Sequence, residues 1–147
     1  MVHYFFNTKA RLFSATMEFT PNIPERLTSQ LEAGVDGLGE RLVRHFVQVW
    51  DEQAGIEPLL ALMRSAPTDD RSASMFAEFM EREIVARLRD TIGGDDANLR
   101  AELIGSHLMG MTLLRYVLRV EPLAATRPEA IAAWMGPALQ RYMSGTP

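Results

Sequence analysis

Apolar residues recur at spacings of three and four along this chain of 147 residues. That is the period of helices with one buried face, and the alternation expected of strands is missing. Thr8 is placed to cap a helix reaching about Phe19, with Leu12, Phe13, Thr16 and Met17 on one side. Pro21 and Pro24 interrupt it, and a short helix follows from Pro24 to Ala33, with Gly34 just past its end. Asp36 caps a longer helix carrying Leu38, Leu42, Phe46, Val49 and Trp50 on one face and Arg41, Arg44, Gln48 and Asp51 on the other. Gly55 ends that pattern. Pro58 opens a short apolar helix, Leu59 to Met63, closed by Pro67. A long helix is predicted from Asp70 to Ile92 through Ala73, Phe76, Met80, Ile84 and Leu88, stopped by Gly93 and Gly94. Asp95 or Asp96 caps the next, which runs to about Val120 before Pro122. Thr126 and Glu129 match a capping box ahead of a final helix, where Gly136 and Pro137 predict a kink. The expected fold is all-α, a helical bundle in one domain, with no internal repeat.

Two of these helices are too apolar for a single contact face. After Leu103 the chain is apolar nearly all round, with Ile104, His107, Met111, Arg115 and Leu118 on one arc and Gly105, Met109, Thr112 and Tyr116 on the other. The last helix adds Trp134, Met135, Leu139 and Met143. The simplest arrangement packs both helices inward on one side and against a second copy on the other, giving an isologous homodimer with a four-helix interface. The residues expected there are Thr112, Tyr116, Ile131, Met135, Ala138 and Tyr142.

Composition narrows the function. No cysteine is present, which removes disulfides and thiolate metal sites and is compatible with a cytoplasmic location. The net charge of −4 gives no general attraction for nucleic acid, so any DNA contact must be local. The stretch Leu103 to Leu118 is interrupted by His107 and Arg115 and is shorter than the roughly 20 residues of a bilayer span, so a buried helix is the better reading and no membrane partner is expected. Three histidines without metal spacing predict no metal site, and no cofactor is implied. No nucleophile–base pair, phosphate loop or carboxylate dyad suggests an enzyme.

Candidate binding residues cluster on the middle helices. Phe46, Trp50, Met63, Phe76, Met80 and Met111 form a Met and aromatic set, suited either to plain core or to lining a pocket for a flat, greasy molecule. His107 and Arg115 lie on one face of a very apolar helix and require partners if buried. Arg115 fits a structural ion-pair cluster with Glu83 and Arg87; the sharper reading has His107 or Arg115 facing a cavity and orienting a polar or anionic effector. His45, at the edge of an apolar face, reads as a half-exposed packing residue.

The run "VHYFFNTKARLF" at the front resembles the junction between the recognition helix and the following helix in TetR-family transcriptional regulators. In that family an aromatic and His cluster leads into a small turn residue, Ser or Thr, Lys, a short spacer and Leu-Phe. The tail "RYVLRVEPLA" and "RPEAIAAWMGPALQRYMSG" is similar to the family's last two helices. The resemblance implies a homodimeric repressor whose helical C-terminal domain holds a small hydrophobic or amphipathic effector that releases operator DNA. It carries His3, Tyr4, Thr8 and Lys9 over as phosphate or groove contacts, while Phe5 departs from the pattern, where many relatives have His. On this resemblance residues 1–19 are the remnant of a DNA-binding domain, 20–147 form the ligand-binding and dimerisation domain, and the first helices of the DNA-binding unit are not in the sequence. The alternative is a helical dimeric ligand-binding or interaction module that does not bind DNA.

Overall fold

The computed structural model of the chain describes residues 23–52 and 57–147. His3, Tyr4, Thr8 and Lys9, with the whole of the expected DNA-binding remnant, lie outside the described residues. The described part is all-α: α1 (Ile23–Glu32), α2 (Leu38–Asp51), α3 (Glu57–Ser65), α4 (Asp70–Met80), α5 (Ala86–Ile92), α6 (Ala97–Thr112) and α7 (Pro128–Ser144). A π-helical turn, Glu81–Val85, joins α4 to α5, and a second, Leu113–Val117, continues α6. Asp70 to Ile92 is thus one helical run, as its periodicity predicts, with a wider turn inside it.

Local chemistry sets the ends. Asp69 caps α4 by accepting the backbone N–H of Ser72 at 3.1 Å, and Gly93 and Gly94, both at positive φ, end α5. Arg41 closes the corner between α1 and α2: its guanidinium donates to the carbonyls of Asp36 and Gly34, both at 2.6 Å. The capping box expected at Thr126 and Glu129 does not form. The Thr126 hydroxyl instead donates to the Pro122 carbonyl at 2.8 Å, which tightens the loop ahead of α7.

One core runs through the bundle, with Leu38, Leu42, Val43 and Val47 of α2, Leu88 of α5, Ile104 and Leu108 of α6, and Ile131 and Leu139 of α7. A second cluster gathers Trp50, Leu59, Leu60 and Phe79 where α2, α3 and α4 converge. The most extensive helix contact is α2 against α7. It depends on Gly39 and Gly136: a β-carbon on Gly136 would lie 2.7 Å from the Glu40 Cα, and one on Gly39 would lie 2.8 Å from the backbone nitrogen of Gln140. The Gln140 side chain locks the crossing, accepting the Gly39 N–H at 2.8 Å and donating to the Val35 carbonyl at 3.0 Å. It thereby satisfies one of the N–H groups that the first turn of α2 leaves open. Pro137, next to this contact, points its ring to the exposed side of α7.

Candidate functional site

Five helices and a π turn line an apolar cavity of about 40 Å3. α2 supplies Leu42, His45, Phe46, Val49 and Trp50. Leu27 closes it from α1, Leu59 from α3, and Phe79, Met80 and Ile84 from α4 and the π turn behind it. Leu108 and Met109 of α6 form the floor. The aromatic wall is ordered by stacking: Phe46 and Trp50 have ring centroids 5.6 Å apart, and Trp50 lies over Tyr116 at 5.5 Å with 26° between planes. Offset aromatic pairs of this kind fix ring orientation.

Behind the wall stands a polar buttress. The Tyr116 hydroxyl donates to Asp51 at 2.7 Å. Arg115, only 9% exposed, donates to the carbonyls of Leu123 at 2.6 Å and Thr126 at 2.7 Å and meets Asp51 at 3.3 Å. Asp51, at the C-terminus of α2 where a carboxylate opposes the helix dipole, is thus matched by one cation and one hydroxyl. Burial pushes the Tyr116 ionisation well above its ordinary range, and the hydrogen bond to Asp51 adds to that. The expected cluster of Glu83, Arg87 and Arg115 divides. Glu83 pairs with Arg87 at 3.3 Å, one turn along the same helix, and Arg115 turns to Asp51 instead.

His45 is the ionisable group in the cavity wall. It is half-buried and makes no hydrogen bond to the other described residues. Burial lowers its pKa from 6.5, the charge of Arg26 lowers it further, and Glu52 opposes both. Arg26 and Glu52 form an exposed ion pair of 2.9 Å beside it. A neutral imidazole offers a donor and an acceptor without fixed charge, so the site suits an uncharged, flat, mostly apolar molecule with one hydrogen-bonding group. Among the described residues no group of His, Asp and Glu is arranged to hold a metal ion.

Of the residues expected to bind an effector, Phe46, Trp50 and Met80 come together in this wall. Phe76 packs on the Trp50 cluster outside the lining. Met63 is buried and Met111 belongs to the main core. His107 lies elsewhere, its Nε2 2.9 Å from the Tyr142 hydroxyl. Arg115 faces the loop before α7 rather than the cavity. Sequence reasoning missed Ile84, Leu108, Met109 and above all His45 as lining; the adjacency of His45 to Phe46 was the available signal.

The expected interface residues are also redistributed. Thr112 is fully buried with its hydroxyl on the Leu108 carbonyl at 2.7 Å, and Ile131 is buried in the core, so neither has surface to offer a second copy. Tyr116 stacks inside the chain, and Met135 and Tyr142 pack against the core. Ala138 is exposed. The arc of α6 holding Gly105 faces Met80 of the same chain, 3.9 Å away from a β-carbon built on that glycine. Among the described residues the exposed large apolar side chains lie elsewhere: Leu99, Leu113 and Leu114 along α6 and its π turn, Leu118 and Val120 beyond, and Trp134, 88% exposed, on α7. Next to it a groove of about 420 Å3 opens between the start of α6 and the end of α7.

This architecture has known counterparts. Residues 36–143 match the family described as tetracyclin repressor-like, C-terminal domain. The crystal structure of a TetR-family regulator from Streptomyces coelicolor A3 is similar over 97% of this chain and 74% of that chain, with 31% sequence identity and a TM-score of 0.65. No curated protein matches. The chain belongs to the TetR family of transcriptional regulators, and its helical bundle is the family's C-terminal domain. Among the described residues no helix is long and apolar enough to cross a membrane.

Proposed function

We propose that this chain is the effector-sensing and dimerising part of a transcriptional repressor. Its effector is an uncharged planar molecule that occupies the cavity between α1, α2, α3, α4 and α6. The observation that carries this is a cavity walled by Phe46, Trp50 and Phe79 with His45 as its ionisable member, in a chain of this family. The cavity is small beside the 300–1,000 Å3 of drug-sized ligand sites. Occupation therefore moves the walls, and Met80 and Met109, unbranched and adaptable, are the side chains suited to yield. A shift of α1, which supplies Leu27, travels toward the N-terminal segment where the family resemblance puts operator contacts.

The second part of the proposal is a homodimer through the outer arc of α6 and α7, where the exposed leucines and Trp134 lie. Aromatic residues are enriched at such interfaces and exposed apolar patches mark them. The experiment is a titration of duplexes from the gene's own promoter with a version of the chain extended upstream, with and without a cavity ligand. Specific binding that the ligand weakens supports a repressor. Binding indifferent to a ligand that occupies the cavity, or strengthened by it, contradicts that role.

A further inference from the structure

The groove, at about 420 Å3, has room for an aromatic ring, and Trp134, 88% exposed, stands close by. Leu99 and Leu103 of α6 form one wall and Ala138, Arg141 and Tyr142 of α7 the other. Trp134, Ala138 and Arg141 follow one another at four and three residues, so they share one face of α7. Trp134 stands one turn, about 6 Å along the axis, before the groove's nearest residue.

We infer that the groove is the socket for Trp134 of a second copy, so that two reciprocal tryptophans lock the dimer. This rests on the dimer reading above and names the contact that would hold it. An isologous interface repeats every contact about its axis. Where two α7 helices run antiparallel with Ala138 on that axis, the residue four before it in one chain stands opposite the residue four after it in the other. That puts Trp134 of one copy against Arg141 and Tyr142 of the other. Ala138 suits the axis because it is small and exposed, which lets the two helices approach. Arg141 makes no ion pair with the other described residues, and a guanidinium free of a carboxylate is a good partner for the face of an indole. Leu99, one of the exposed leucines, itself lines the groove, so an interface that fills the groove also covers that leucine.

Sedimentation equilibrium on the unmodified chain and on Trp134→Ala tests this. Trp134 is exposed in the single chain, so its removal leaves the core and the circular dichroism unchanged. Tryptophan anchors in pockets are typical hot spots of at least about 2 kcal/mol, so the dimer dissociation constant should rise at least about 30-fold. Glu129→Ala, on another side of α7, should leave it unchanged. The groove is then tested by Leu99→Ala alone and combined with Trp134→Ala. Losses smaller than the product of the single effects support the socket, because one contact is removed twice. Losses that multiply, or a dimer whose Trp134 is still quenched by iodide, overturn the socket while leaving the dimer. A monomeric unmodified chain overturns the dimer reading and the socket with it.

Discussion

Gly39 and Gly136 bring the backbones of α2 and α7 together with no side chain between them. α2 is the helix that supplies five of the cavity's lining residues, and α7 carries Trp134 and the groove. The contact therefore joins the proposed effector site to the proposed dimer face through two rigid helices and one glutamine side chain. Helices in such close contact move together, so a displacement of α2 by a ligand is passed to α7 rather than absorbed between them.

Adding a methyl group at this crossing should be costly. In Gly39→Ala the new carbon would clash with backbone of Gly136 and Gln140, which cannot turn aside as a side chain does. The gain in helix propensity is at most about 1 kcal/mol, whereas forced overpacking costs roughly 1–3 kcal/mol. Urea denaturation should show a net loss of stability for Gly39→Ala and for Gly136→Ala. Equal or greater stability in both variants would mean the helices separate freely.

The Gln140 lock is testable separately. Gln140→Ala leaves the Gly39 N–H without its partner, while the Val35 carbonyl keeps the Leu38 N–H at 3.1 Å, and loss of such a cap costs about 1 kcal/mol. Hydrogen exchange should speed up at the first turn of α2 and stay unchanged in α4.

Alkaline pH should weaken the buttress behind the cavity. Tyr116 ionises near 10.0 when unfolded and well above that when folded, because burial and Asp51 both disfavour the phenolate. The neutral form is the one the fold favours, so this stability is intact below pH 10.0 and is lost as pH rises beyond it. Stability measured by denaturation should fall above pH 10.0, and Tyr116→Phe should flatten that fall while being less stable at pH 7.

His45 gives the opposite limb. Its folded pKa lies below 6.5, chiefly through burial, so the neutral ring is favoured in the fold. The stability linked to it is full above pH 6.5 and declines as pH drops from there through the folded value. An NMR titration of the imidazole should give a midpoint below 6.5. A midpoint at or above it would place the ring in an open, solvated position, contrary to its role in the cavity wall.

The helices were legible because their faces and stops are local. The stripe Leu38, Leu42, Val49 and Trp50 is buried as its spacing predicts, and the run from Asp70 to Ile92 forms where its periodicity and the closing glycines place it. What lay beyond the sequence was which neighbour each face meets. α6 is apolar nearly all round, so periodicity carried no information about which arc stays inside. Thr112 and Tyr116 proved internal, and Leu99 and Leu114 external. Gly136 read as a source of a kink because its neighbour is a proline; its need for space is set by Gly39, 97 positions earlier in the chain and invisible to any local pattern. The cavity was half legible for the same reason. Phe46, Trp50 and Met80 were chosen by residue type, but Arg115 and His107 were drawn away by Asp51 and Tyr142, partners that only the tertiary fold supplies.

Trp50 reports on the cavity directly, because it is one of two tryptophans and the other, Trp134, is on the surface. The decisive measurement is the fluorescence of Trp50 in a Trp134→Phe chain during titration with neutral planar aromatics, their hydroxylated forms and their carboxylates. A saturable change in emission at one ligand per chain is expected, with a rise in melting temperature. The neutral hydroxylated compounds should bind most tightly, and Met109→Trp, which fills the space, should abolish the rise in melting temperature. Compounds that leave Trp50 unperturbed, or that stabilise the filled variant equally, would contradict an effector site in this cavity.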